Sequence, residues 1–100
     1  MGQSQTKTQS KSSSKIAYPK RYKVVFHNDD FTPMEFVIHL LIEIFNKDIN
    51  QAKDITLQIH EQGLAVAGIY GFEIAEAKTY EANLISRHNG HPLKITSEEL

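Results

Sequence analysis

The spacing of apolar residues along the chain predicts three strands and three helices. Strand-like segments rich in β-branched and aromatic residues lie at 22–27, 64–70 and 91–96. Between them, apolar residues recur every three or four positions after Pro33, after Asp48 and over residues 72–88, which is typical of helices. The predicted order is β-α-α-β-α-β. A three-stranded sheet with one apolar face needs helices to cover it, so we predict an α+β two-layer sandwich of one sheet packed against three helices. The pattern leaves the strand directions open.

The helix ends carry local signals of their own. Thr32 and Glu35 have the spacing of a capping box at the start of the first helix. Asp48 and Gln51 have the same spacing at the start of the second helix, and Gly63 suits its C-terminal cap. These signals predict where both helices begin and where the second one ends.

Composition narrows the class of protein. The chain has 100 residues, of which 40% are hydrophobic, and this allows one small domain. No apolar run approaches the roughly 18 residues of a membrane span, so we expect no membrane partner. The chain has no cysteine, which excludes disulfides, a thiolate nucleophile and cysteine-type zinc sites. The N-terminus lacks the apolar stretch of a secretory signal, so the expected compartment is the cytoplasm.

The charges are unevenly distributed although the chain as a whole has a net charge of −1. Residues 1–21 contain five of the eleven basic residues and no acidic one, so residues 22–100 carry a net charge of −6. The first fifteen residues are almost entirely Ser, Gln, Thr and Lys, a composition that cannot form a core. We predict a disordered tail over residues 1–20 and a folded core over residues 21–100. Evenly spread lysines without aromatic residues, next to an acidic body, argue against a nucleic-acid partner.

The sequence offers little for an enzyme. Outside the tail the serines are Ser86 and Ser97, and neither lies in a Gly-x-Ser-x-Gly turn. Asp29, Asp30 and His60 could in principle ligate a metal, but no known metal-site spacing supports them. A phosphate-binding loop is also missing. We therefore expect neither catalysis nor a cofactor or metal.

A binding site fits the polar residues better. Asn28, Asp29 and Asp30 precede the first helix, and Thr32 and Met34 follow in its first turn, so hydrogen-bond acceptors lie beside an apolar surface. Two carboxylates and an amide carbonyl suit a primary ammonium group, which presents three donors. An ordinary loop with an Asx turn would use the same residues, and spacing alone does not decide between the two.

Four segments, in the same order and without insertions, resemble the ClpS family over residues 22 to about 96. Members of this family are adaptors of the ATP-dependent Clp protease that recognise proteins by their N-terminal residue. The matching segments are Tyr22-Lys23-Val24-Val25 with Asn28 to Val37, then Ile59-His60-Glu61-Gln62-Gly63, Glu73 to Lys78, and Gly90-His91-Pro92-Leu93.

The resemblance implies an adaptor that holds a bulky N-terminal side chain, Leu, Phe, Tyr or Trp, in an apolar pocket. By position, the α-amino group of the substrate would be held by Asn28, Asp29 and His60. Asp30 and Thr32 would contact the adjoining peptide backbone. The pocket would be lined by Met34, Val37, Thr56, Ile59 and Leu93. Thr56 departs from the family, since well-known relatives have a bulky Met there, and this puts the ranking of N-terminal residues in doubt.

The resemblance also implies a partner. The body would dock as a monomer on the N-terminal domain of an AAA+ unfoldase, ClpA or ClpC, through a surface that includes Glu73 and Lys78, and the tail would help to deliver the substrate. Charged residues at this spacing are also typical of a solvated helix face.

Two other hypotheses for the function remain beside the adaptor. One is an interaction module with the layout of the C-terminal domain of the ribosomal stalk protein, and the other is a small metal-dependent hydrolase.

Overall fold

A computed structural model describes residues 18–100, so most of the predicted tail lies outside the described residues. The elements follow one another in the predicted order β-α-α-β-α-β. Their bounds are β1 Arg21–His27, α1 Met34–Glu43, α2 Ile49–Gln62, β2 Leu64–Gly71, α3 Phe72–His88 and β3 Lys94–Glu99. The predicted α+β architecture is confirmed.

The sheet settles the strand directions that the sequence left open. β1 is the central strand, with β2 on one side and β3 on the other, and both neighbours run antiparallel to it. The pairing of β1 with β2 shifts by one residue, because Val24 lies opposite Gly68 and Val25 lies opposite Val66. Ala67 is therefore an extra residue in β2, a β-bulge that locally increases the twist of the strand pair.

The core lies between the helices and the sheet. The first helix contributes Val37, Leu40 and Leu41, which are all buried. They meet the inward residues of β1, where Phe26 packs edge-to-face on Phe45 with 5.4 Å between the ring centroids. The buried cluster consists of Val24, Phe26, Val37, Leu40, Leu41, Ile44, Phe45, Ala52, Ile59, Ala65, Ala67, Ala75, Ala82, Leu93 and Ile95. One continuous core thus supports both ends of α1 and α2.

The two predicted capping boxes have different outcomes. At α2 the box is confirmed, since the Asp48 carboxylate accepts the Gln51 N–H at 2.8 Å and the Gln51 side chain accepts the Asp48 N–H at 3.1 Å. Gly63 ends this helix with φ of 90°, a left-handed conformation that favours glycine. At α1 the box is wrong, because the helix begins at Met34 and its N-cap position has no side-chain hydrogen bond. The hydroxyl of Thr32 donates instead to the carboxylate of Asp29.

The last strand begins later than the predicted residue 91, at Lys94. Pro92 has no backbone N–H to donate, and the N–H of His91 donates to the Ser86 carbonyl at 2.9 Å. The carbonyls of His91 and Leu93 accept hydrogen bonds from Arg87. The backbone groups that would have paired in a sheet are therefore bonded to the end of α3.

None of the helices over residues 18–100 combines the length and the apolar character that crossing a membrane requires.

Candidate functional site

The residues predicted to bind an N-terminus line a single cavity of about 220 Å³. The end of β1, the loop after it and the start of α1 form one side. The last two turns of α2 and the segment before β3 form the rest. The lining consists of His27, Asn28, Asp29, Asp30, Thr32, Met34, Val37, Thr56, Ile59, His60 and Leu93. The fold therefore brings together all ten residues predicted for the α-amino, backbone and pocket contacts, and their binding roles stay predictions.

A backbone hydrogen bond joins two distant parts of the chain beside this cavity. The N–H of Asn28 donates to the carbonyl of Gly63 at 2.9 Å and so ties the end of β1 to the end of α2. His60 lies in the last turn of α2, and its side chain is exposed. Asn28 and His60 are exposed and Asp29 is half-buried, so an amide, a carboxylate and an imidazole form the polar, solvent-facing mouth of the cavity.

Asp29 organises the loop through its own carboxylate. One oxygen accepts the N–H groups of Phe31 and Thr32 at 2.8 and 2.7 Å, and the other accepts the Thr32 hydroxyl at 2.8 Å. Partial burial opposes ionisation, but these hydrogen bonds and the nearby charge of His91 outweigh it and lower the pKa of Asp29 below its ordinary value. The Asp29 carboxylate at the mouth of the cavity is therefore ionised at neutral pH. Because a carboxylate has about four acceptor positions and three are used, about one is left for a ligand.

The walls of the cavity are apolar. Val37, Ile59 and Leu93 are each at most 5% exposed, whereas Met34 is 46% exposed at the first residue of α1. Thr56 is also buried, and its hydroxyl donates to the Ala52 carbonyl at 2.7 Å. Because that hydroxyl is already bonded within α2, it is not a free donor for a ligand. Thr56 therefore affects the cavity through the size and shape of its side chain.

Two histidines at the site were not given a role by the sequence. His27 lines the cavity, and its Nε2 lies 2.8 Å from the Thr96 hydroxyl. His91 lies close enough for its charge to act on Asp29, and its ring packs on Phe36 with 4.4 Å between the centroids. The position of His27 directly before the Asn-Asp-Asp loop was the available signal for the first. For His91 the signal was its place in the matched segment Gly90-His91-Pro92-Leu93. The chain returns after α3 and brings this residue close to Asp29.

The described part of the chain, residues 18–100, contains no group of three His, Asp or Glu residues that could hold a metal ion. Asp29, Asp30 and His60, which were considered as metal ligands, line the cavity without forming such a group.

The two residues predicted to dock on an unfoldase lie away from the cavity, on α3. Glu73 is exposed in the first turn of the helix. Lys78 is half-buried, and its ammonium donates to the carbonyl of Ile44 at 2.6 Å. The same ammonium lies 5.8 and 5.4 Å from the ring centroids of Phe45 and Tyr70, which is within cation–π distance. Lys78 therefore links α3 to the end of α1.

Comparison with known proteins identifies the class. The model of the family described as "ATP-dependent Clp protease adaptor protein ClpS" matches residues 17–96. The Clp protease adapter protein of Clostridium acetobutylicum is 47% identical over 90 residues, 90% of this chain and 89% of the relative. The adapter protein of Shewanella denitrificans is 46% identical over 92 residues, 92% of this chain and 90% of the relative.

A solved structure agrees with the sequence matches. Agrobacterium tumefaciens ClpS2 bound to L-phenylalaninamide superimposes with a TM-score of 0.81 and 36% identity, and the match covers 83% of this chain and 100% of that one. Fold and sequence together define a non-catalytic protease adaptor. The chain belongs to the ClpS family of adaptors of the ATP-dependent Clp protease. This membership favours the adaptor hypothesis over both the ribosomal-stalk layout and the hydrolase.

Proposed function

We propose that this adaptor binds proteins by a free N-terminal Leu, Phe, Tyr or Trp and delivers them to the Clp AAA+ protease for degradation. The α-amino group is held by Asn28, Asp29 and His60, and the first side chain enters the apolar cavity below them. The observation that carries the proposal is this pairing of a negatively charged, acceptor-rich mouth with an apolar cavity in one site.

The size of the cavity supports the proposed side chains. An apolar cavity of about 150 Å³ holds a benzene molecule, so one of about 220 Å³ has room for a benzyl group. Val37, Ile59 and Leu93 provide buried apolar surface for it. The related Agrobacterium protein binds L-phenylalaninamide, which has a free amine and a benzyl side chain. A ligand with both features matches the two halves of this site.

The mouth supports selection for a free amine. A protonated α-amino group offers three donors, and Asn28, Asp29 and His60 offer acceptors. An acetylated terminus loses the charge and donors, and leaves these polar groups without their partner. Sites built to hydrogen-bond a group discriminate strongly against ligands that lack it, more than an apolar pocket discriminates by a methylene.

The proposal is tested by fluorescence-polarisation titration with a labelled peptide that begins with Phe, free and N-acetylated. We expect saturable binding of the free peptide and a loss of at least about a hundredfold in affinity on acetylation. A free peptide that begins with Gly controls for binding to the rest of the peptide. Equal affinity for the free and acetylated Phe peptides would contradict the proposal.

Delivery needs a second surface. We propose that α3, with Glu73 and Lys78, docks on the N-terminal domain of a ClpA-type or ClpC-type unfoldase, while the cavity keeps the substrate. The adaptor would act as a monomer in the cytoplasm, and the predicted tail over residues 1–20 would assist the transfer. The separation of the α3 residues from the cavity supports simultaneous binding of both partners.

Peptide binding is expected to weaken as the pH falls from about 7.5 to about 5.5, the range in which histidines protonate. His60 can accept a hydrogen bond from the ammonium only while one ring nitrogen is unprotonated. Asp29 does not contribute to this change, because its lowered pKa keeps it ionised throughout the range. Titrations of one Phe peptide at several pH values measure the effect. His60→Gln is the matched control, since its amide does not titrate, and an unchanged pH dependence in this variant would rule out His60 as the cause.

Thr56→Met is expected to narrow specificity toward smaller side chains. Thr56 is buried in the cavity wall, so a longer side chain there reduces the room for Trp and Tyr more than for Leu. Affinities for four peptides that differ only in their first residue measure the ranking. Thr56→Val is the control, because it keeps the branched shape and removes only the hydrogen bond to Ala52. An identical ranking for Thr56→Met and the unchanged chain would contradict this expectation.

A further inference from the structure

A second, open cavity adjoins the first and has not been given a function. Its lining consists of Phe31, Arg87, Gly90, His91 and Pro92. No residue lines both cavities, but Asp30 of the first is followed in the chain by Phe31 of the second, and Pro92 of the second is followed by Leu93 of the first. Consecutive Cα atoms are only about 3.8 Å apart, so the two cavities lie next to each other at both chain segments.

The second cavity is built from side chains and backbone that the fold holds in place. Nη1 of Arg87 donates to the carbonyls of His91 and Leu93 at 2.9 and 2.6 Å, which fixes both the guanidinium and the segment before β3. The His91 ring packs edge-on against Phe36 with an interplanar angle of 62°. Gly90 leaves its part of the lining open, since a Cβ at this residue would meet nothing within 4 Å.

Phe31 is the unusual member of this cavity. Its side chain is 80% exposed, although it belongs to a loop whose backbone is fixed by the Asp29 carboxylate. Aromatic side chains are enriched among the residues that carry binding energy at interfaces, and the backbone of Phe31 is held beside the proposed binding site. The Pro92 ring and the Arg87 guanidinium offer further surfaces on which an aromatic ring can pack.

The path of a bound peptide leads to this cavity. Asp30 and Thr32, which are proposed to hold the substrate backbone, lie on either side of Phe31 in the chain. Successive side chains of an extended peptide point to opposite sides. When the first side chain enters the first cavity, the second therefore leaves it and lies along the rim that Phe31 forms.

We propose that the cavity of Phe31, Arg87, His91 and Pro92 is a subsite for the side chain of the second substrate residue, and that it prefers aromatic or large apolar side chains. This inference rests on the proposed function, since it requires a peptide bound by its N-terminus. An acidic second residue is not preferred, because Nη1 of Arg87 already donates to two backbone carbonyls and the Asp30 carboxylate lies next to Phe31 in the chain. Phe31 is then a specificity-determining residue outside the pocket for the first side chain.

The test uses the full chain and free peptides that begin with Phe and carry Gly, Leu, Tyr or Asp as the second residue, with an otherwise constant sequence. We expect Leu and Tyr to bind about threefold to tenfold tighter than Gly, as partial burial of a large side chain allows. In Phe31→Ala this preference disappears, so the Leu, Tyr and Gly peptides bind with similar affinity. Tyr80→Ala, which removes a 70% exposed aromatic side chain that lines neither cavity, keeps the preference.

The outcomes separate the subsite from the function on which it rests. Amine-dependent binding of the Phe-Gly peptide, with no effect of the second residue, overturns the subsite and leaves the proposed function in place. A preference that survives Phe31→Ala, or a preference for Asp over Tyr, also overturns the subsite. If no free Phe peptide binds better than its acetylated form, the proposed function and the subsite fail together.

Discussion

Asp29→Ala is expected to abolish measurable binding of free Phe peptides and to lower the free energy of unfolding by about 0.5–2 kcal/mol. The variant removes the charge at the cavity mouth together with three hydrogen bonds that shape the loop, two to backbone N–H groups and one to the Thr32 hydroxyl. Peptide titration and urea unfolding measure the two effects. Unchanged affinity in a folded Asp29→Ala variant would contradict the assignment of this residue to the α-amino site.

Asp29→Asn separates the two roles, because an amide oxygen still accepts from the loop but carries no charge. We expect this variant to keep most of the stability and to lose at least about tenfold in affinity, as for a charge-assisted hydrogen bond. Glu35→Gln, which removes an exposed carboxylate from the first turn of α1, is the matched control and should change neither quantity. Full affinity in Asp29→Asn would show that charge at this position is not required.

The stabilisation by Asp29 also has a definite pH dependence. Its folded-state pKa lies below the ordinary value of 3.8 because hydrogen bonds and the His91 charge favour the carboxylate. The stabilisation is therefore present at pH values above the ordinary pKa and is lost as the pH falls through the lowered one. Unfolding curves at several acidic pH values should show a smaller loss of stability in Asp29→Asn than in the unchanged chain.

Lys78→Met is expected to lower the free energy of unfolding by about 1–3 kcal/mol, because the variant leaves the partly buried Ile44 carbonyl without its donor. It also removes the cation that lies near the rings of Phe45 and Tyr70. Urea unfolding measures the loss. A stability equal to that of the unchanged chain would contradict the role of Lys78 as a link between α3 and α1.

Glu73→Gln is the matched variant for the proposed docking surface, since Glu73 is exposed in the first turn of α3. We expect Glu73→Gln to keep the full stability and to weaken binding to the N-terminal domain of the unfoldase.

The docking of Lys78→Met distinguishes two roles for Lys78. If this variant docks weakly only under conditions in which it is partly unfolded, Lys78 acts through the position of α3. Weakened docking by a fully folded Lys78→Met would instead indicate a direct contact.

The sequence alone determined the elements and much of the site. The strand-like and helical patterns predicted the order of the six elements, and the bounds of α3 were predicted from composition. The capping box of Asp48 and Gln51 and the cap at Gly63 were also predicted from sequence. Such features depend on residues a few positions apart, so a local pattern is sufficient to specify them. The set of cavity residues came from the resemblance to a family, since spacing alone did not distinguish a binding loop from an ordinary Asx turn.

Only the tertiary structure decided which of several possible partners each polar group takes, both among near neighbours in the chain and between distant residues. The Thr32 hydroxyl bonds to Asp29 rather than capping α1, because the ionised carboxylate is within its reach. The carbonyls of residues 91 and 93 bond to Arg87, which delays the last strand. The packing of α3 on the sheet brings Lys78 to the end of α1. The chain segment that follows α3 brings His91 close to Asp29. The positions of donors and acceptors in three dimensions decide these partners, and a linear pattern carries no record of distances through space.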